Sequence, residues 1–179
     1  MRSLLLLMTT TAAPAFAAVN PLPDDFNALF ATTCMQYYYA QDTLRDQMKS
    51  HGLEVLPPDQ AGVFLGGKEG TAWIFVAPST RYVISLSKSS VCSVFAQRGN
   101  PDQIQAGFQK LVGTAPAPLV AQAPDTAGLG PNNDLAKTVA RSWARPADKE
   151  ELLFVLTTSS SEEVTAQAMA SMARVKRDR

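Results

Sequence analysis

"TAWIFVAPSTRYVISLSKSSVCSVFAQ", residues 71 to 97, holds three short runs rich in β-branched and aromatic residues. They are "TAWIFVA", "RYVISLS" and "VCSVFAQ", separated only by "PST" and "KSS". Runs of this length with turn residues between them predict three consecutive strands of an antiparallel meander. Strand side chains alternate, so Cys92, Val94 and Ala96 share one face, while Val91, Ser93 and Phe95 share the other.

Cys92 has one possible partner in the chain, Cys34. An even cysteine pair in an exported chain most simply forms one disulfide, and the wide spacing does not fit a redox C-x-x-C site. Phe26, Leu29, Phe30, Cys34, Tyr37 and Tyr38 recur at three- and four-residue steps, the stripe of a helix. The bridge would tie that helix to the Cys92 side, which should therefore carry the helices. Asp42 can cap a further turn set with Leu44 and Met48 inward and Gly52 as its stop, and the stretch reads as one kinked helix or two.

Immediately before the meander stands "GVFLGGKEGTAW", residues 62 to 73, close to a phosphate-binding loop pattern. A working loop of that kind follows a strand and precedes a helix, so that helix N-terminal amides meet the phosphates. Here the order is reversed. "LPPDQAGVFLGG" predicts a short helix starting at Pro58, burying Ala61, Phe64 and Leu65, and ending at Gly66 and Gly67. Glu69 also stands where a metal-binding hydroxyl belongs. The glycines read as a helix stop and a turn, and no nucleotide is expected.

After the meander, "NPDQIQAGFQKLVG" predicts a helix capped by Asn100, started by Pro101 and ended by Gly113, with Ile104, Phe108, Leu111 and Val112 facing the core. Residues 114–134, rich in Pro, Ala and Gly, read as a surface loop or a loosely held strand within the domain. "AKTVARSWAR" and "ELLFVLTTS" predict two more strands, the second apolar on both faces and so expected at the sheet's centre. Residues 165–176 fit a strand or a helix. Ser160 and Glu163 could form a capping box, while continuation of the meander favours a strand. The expectation is a single α+β domain with an antiparallel sheet of five or six strands and helices packed on one face.

The chain's start, "MRSLLLLMTTTAAPAFAAVN", has a basic residue, an apolar run and Ala15-Phe16-Ala17, the pattern of a signal peptide over residues 1–17 cleaved after Ala17. Residues 18–179 would then be one exported domain, expected in a periplasm, with no transmembrane segment. Lys and Arg number 16 and Asp and Glu 16. This balance gives no reason to expect nucleic acid as a partner. The single histidine, His51, sits at a helix end, and the composition supplies no two-histidine metal motif and no nucleophile elbow. No catalytic residue, metal or cofactor is expected.

Two stretches read instead as contact surfaces. In "QYYYAQ", one helical stripe cannot bury three successive tyrosines, so Tyr39 is left partly exposed, either to meet a partner or to lie under the loop of residues 114–134. In "VARSWAR", Arg141, Trp143 and Arg145 share a strand face, outward if the small residues Ala140, Ser142 and Ala144 lie beneath a helix. The plainer reading has the tryptophan anchoring the sheet. A pocket near Tyr38, Trp73 and Trp143 is the corresponding site for a small ligand.

"GLEVLPPDQAGVFLGGKEGTAWIFV", "YVISLSKSSVCSVFAQR" and "LLFVLTTSSS" together resemble a family of short secreted proteobacterial proteins described only as uncharacterised. The resemblance spans roughly residues 26 to 175 and implies an exported single domain with the cysteine pair. It implies no activity. The function expected is a non-enzymatic periplasmic module binding another envelope protein, in its sharpest form an immunity-type inhibitor of a toxin acting on the cell envelope. The alternatives are a small-ligand-binding or envelope-maintenance factor and a hydrolase with converging carboxylates.

Overall fold

The computed structural model describes residues 22–177, so the expected leader and its cleavage site lie outside the described residues. Its elements in chain order are α1 (Phe26–Phe30), a π-helical turn (Ala31–Met35), α2 (Gln41–Ser50), β1 (Glu54–Val55), α3 (Pro58–Phe64), β2 (Gly70–Val76), β3 (Arg81–Ser87), β4 (Cys92–Ala96), α4 (Pro101–Val112), β5 (Val120–Gln122), β6 (Ala136–Ala144), β7 (Glu150–Ser159) and β8 (Ala168–Lys176). The class is α+β. One antiparallel sheet of eight strands runs in the order β1-β2-β3-β4-β8-β7-β6-β5.

The meander forms where its alternation demands, with β2, β3 and β4 paired in sequence. Two further strands raise the count above the five or six expected. β1 is two residues long and pairs with β2, and β5, from the Pro-rich stretch, is three residues long and pairs with β6. Within residues 165–176, Ala168–Lys176 form the strand β8, which closes the sheet between β4 and β7. The Ser160–Glu163 capping box is absent. Ser159 and Ser161 hydroxyls instead accept from the amides of Ser161 and Glu163, turning the chain toward β8. β7 is interior, but β4 and β8 take the middle of the sheet.

Helices cover both faces, not one. α1, α2 and α4 pack with Cys92, Val94, Ile84, Phe154 and Met172 in the main core. α3 lies on the reverse face, where Ala61 packs with Leu56, Ala72 and Val83 in a separate cluster. The Ser85 hydroxyl, which points to that face, donates to the Phe64 carbonyl at 3.0 Å. The physical reason is packing: Ala61, with Phe64 and Leu65 beside it, covers Leu56 together with Ala72 of β2 and Val83 of β3, whose side chains turn away from the disulfide face.

Cys34 and Cys92 form the bridge, with Cα atoms 5.4 Å apart and a sequence separation of 58. Cys34 lies in the π-helical turn, where the Gln36 amide reaches back to the Ala31 carbonyl at 3.0 Å. That inserted turn ends the first helix, so the N-terminal stretch is two helices. α2 carries no side-chain cap. Ala40 occupies the N-cap, and Asp42, within the first turn, pairs with Arg45 at 2.8 Å. Gly52 follows with φ 67, as a helix stop requires. His51 is the C-cap residue of α2.

α4 is bounded as its sequence indicates. Asn100 accepts from the Gln103 amide, Pro101 opens the helix, and Gly113 is its C-cap. The glycines of the phosphate-loop-like stretch also have plain roles. Gly66 and Gly67 adopt φ of 58 and 72 after α3, and Glu69 forms an ion pair with Lys88 across the turn. At Gly70 an added Cβ would lie 2.4 Å from the Leu86 carbonyl oxygen, so only glycine lets β2 and β3 start their pairing there.

At the other end of the helix layer, Asp24 ties the beginning of the described chain to the sheet. Its carboxylate accepts from the Ser79 amide and hydroxyl and from the Tyr82 hydroxyl. Burial pushes the Tyr82 hydroxyl above its ordinary value of 10.0, and burial does the same for Tyr38. A folded-state value raised above the unfolded one means stability is fully present below about pH 10 and is lost as pH rises through the folded values. Unfolding by urea should therefore become easier as pH rises above about 10. A spectrophotometric titration should find the Tyr38 and Tyr82 tyrosinates forming at higher pH in the native than in the unfolded protein. Titration identical in both states would contradict this.

Candidate functional site

A concavity of 1030 Å³ opens where the ends of β6, β7 and β8 meet the margin of the helix layer. Its apolar floor is formed by Trp143 and Leu152, which are register partners on β6 and β7. Pro118 and Leu119, immediately before β5, form one wall. Tyr39, in the turn between the π-helical segment and α2, stands at the opposite margin and is 75% exposed. The Arg174 guanidinium lies 5.7 Å from the centroid of the Tyr39 ring, within cation–π range. Tyr38, one residue earlier, turns inward and meets the Tyr39 ring edge to face at 5.0 Å.

Charge is concentrated along the rim. Five basic residues, Arg145, Lys149, Arg174, Lys176 and Arg177, line the groove with three acids, Asp148, Glu150 and Glu151. Arg145 Nε donates to Asp148 Oδ2 at 3.0 Å, within the tight β6–β7 connection. This hydrogen bond holds the Asp148 carboxyl below the usual carboxylate range. Arg174 approaches Glu150 at 3.4 Å across the β7–β8 pair, and Arg177 lies 3.6 Å from Glu151. The last pair is largely shielded from solvent, whereas the Arg174–Glu150 side chains are 48% and 52% exposed.

The residues singled out in the sequence separate into two groups. Tyr39, Trp143 and Arg145 line this one groove, while Arg141 is not among its lining residues. The Arg-Trp-Arg face is not an outward ladder: Trp143 points into the helix side of the sheet. Its indole N–H donates to the Val112 carbonyl at 2.8 Å, and its ring meets Phe154 at 4.6 Å. Trp143 is therefore both an anchor of the core and the groove's floor. The reason is the end of α4, whose last-turn carbonyl needs a donor and receives it from the indole. The small-residue face, Thr138 to Ala144, is instead the reverse face; the Thr138 hydroxyl donates to the Pro131 carbonyl, and Gly130 passes close above it. Arg141 is half-buried and donates to the neighbouring Ala140 carbonyl.

Tyr38 and Trp73 are buried in the core, so of the three residues proposed to line a ligand pocket only Trp143 borders the groove. A smaller cavity of 170 Å³ lies on the reverse face beside α3, between Phe64, Ile74, Val83 and Phe95 with Arg81 at its margin. In the sequence Arg174 and Leu119 carry no signal of a site, and Glu150 reads only as one of two adjacent acids, Glu150 and Glu151. Arg174 and Glu150 become neighbours only through the β7–β8 register, which residue types alone do not reveal. Among the described residues no group of three His, Cys, Asp or Glu side chains could hold a metal ion, and no helix is long and apolar enough to cross a membrane.

No family model, no curated protein and no solved structure matches this chain.

Proposed function

We propose that this protein is a non-enzymatic periplasmic binding module that holds another protein of the cell envelope in the groove bordered by Tyr39, Trp143 and Arg145. The carrying observation is the convergence in that groove of an exposed tyrosine, a rigid tryptophan floor and an arginine-rich rim. Tyr, Trp and Arg are the residue types enriched at protein-binding hot spots. The disulfide immobilises the π-helical turn a few residues before Tyr39, which favours a preformed surface over an adaptable one. The export signal and the resemblance to secreted proteobacterial proteins support the periplasmic assignment. An immunity-type inhibitor, which needs only a rigid complementary face, is the sharpest form of this reading.

The carboxylates in the groove fit salt-bridge roles better than hydrolysis. Each is within ion-pair distance of an arginine, and Asp148 is held low, whereas a general acid at neutral pH needs a raised value. The apolar cavity beside α3, at 170 Å³, is below the roughly 300–1,000 Å³ of typical ligand sites and offers no separate small-ligand site there. The test is capture from envelope extract with the mature protein as bait. One partner should be retained by the wild type and lost with the Tyr39→Ala/Arg145→Ala double variant at unchanged melting temperature. If that partner is toxic when produced alone in the envelope, co-production of this protein should relieve the toxicity. Retention by both baits, or by neither, would remove the groove from consideration.

A further inference from the structure

Resting on the reading of the groove as a protein-binding surface, we infer that its occupant is an acidic segment carrying apolar side chains, and that Glu150 competes with that segment for Arg174. The rim holds five basic residues and three acidic ones, a surplus of two positive charges over an apolar floor. The surplus is local, because the chain as a whole carries a formal net charge of +0. Complementary charge steers encounter and fixes register, so a groove with a basic rim and an apolar base selects a partner with carboxylates flanking apolar residues.

The internal ion pairs differ in how easily a partner displaces them. Arg177 and Glu151 are 17% and 14% exposed at their side chains and form a fixed part of the wall. Arg174 and Glu150 are about half exposed, and solvent-open pairs of this kind hold together weakly. Arg174 can therefore exchange Glu150 for a partner carboxylate while its guanidinium stays against the Tyr39 ring. A guanidinium has five N–H donors, so it can keep both contacts through the exchange. Lys176, the register partner of Glu150, adds a second positive charge beside the exchange point.

Glu150→Gln gives the discriminating result, because it strengthens binding where a merely structural role would leave it unchanged or weaken it. The probes are a fluorescein-labelled hexapeptide alternating glutamate with leucine or phenylalanine, its glutamine counterpart and its lysine counterpart, titrated into the mature protein by fluorescence anisotropy. The glutamate peptide should bind more tightly than the glutamine one, the lysine peptide should not bind, and rising salt should weaken the interaction. Glu150→Gln should tighten binding of the glutamate peptide about two- to fivefold. The Arg174→Gln/Lys176→Gln double variant should weaken it about tenfold. The inference is overturned if the glutamate peptide fails to bind, if the lysine peptide binds equally, or if Glu150→Gln leaves affinity unchanged. It is also overturned if phosphatidylglycerol vesicles displace the glutamate peptide and are themselves bound more tightly. An envelope partner captured through Tyr39 but indifferent to Glu150→Gln would leave the binding role standing and remove the acidic segment. Peptide binding without any envelope partner would do the reverse.

Discussion

Replacing Cys34 and Cys92 together by alanine should lower the unfolding free energy by about 4 kcal/mol in the chain-entropy view of a loop this long. The separation of 58 residues sets the loop, and both cysteines are buried, at 0% and 2% exposure. A single domain is stable by only about 5–15 kcal/mol, so the change removes a large share of the total. The bridge also fastens the π-helical turn to β4, the strand that joins the two halves of the sheet. Urea unfolding of the oxidised protein and the double alanine variant should show a much lower midpoint for the variant. Because the sulfurs are buried, added reductant should act on the native protein only as fast as it opens. A midpoint within experimental error of the wild type would show that packing alone holds this helix layer in place.

Truncating Trp143 to alanine should cost about 3–5 kcal/mol, in the range of other large buried aromatics. Two effects add. The ring leaves a void beside Phe154, and the Val112 carbonyl at the end of α4 loses its indole donor. Trp143→Phe separates them, since it keeps a ring against Phe154 and removes only the donor. That variant should cost about 1–3 kcal/mol, the penalty of a buried carbonyl left without its partner. Chemical denaturation of the two variants, with near-ultraviolet circular dichroism as a check on packing, measures both terms. Equal and small effects, under about 0.5 kcal/mol, would mean that Trp143 is a surface residue after all.

The elements with strong local signals were legible in the sequence. The β2–β4 meander follows from alternation and turn residues, and α4 from the Asn100 cap and Pro101 start. The cysteine pair fixed which face of β4 the first helix meets. β1 was not legible, and β5 was legible only as the loosely held strand that residues 114–134 offered beside a loop, because two or three residues carry no measurable period and form only when the neighbouring strand offers an edge. Alternation showed that Arg141 and Trp143 share a face; it could not say which face is buried, since that depends on the Val112 carbonyl 31 positions away in sequence. α3 on the reverse face is likewise a matter of tertiary packing. Of the groove, Tyr39, Trp143 and Arg145 could be singled out from residue type and periodicity. Arg174 and Glu150 could not, because only the pairing of β7 with β8 brings them together.

The central claim is that the rigid, arginine-rimmed groove is the surface this protein offers to a partner. A photoreactive amino acid placed at Tyr39, compared with one at Val63, tests it most directly. Both positions are exposed, at 75% and 67%, but Val63 belongs to α3 on the reverse face. Irradiation of cells exporting each variant, followed by mass spectrometry of the adducts, should give one discrete envelope-protein adduct from position 39 and none from position 63. Adducts from position 63 alone, or from neither position, would contradict the account.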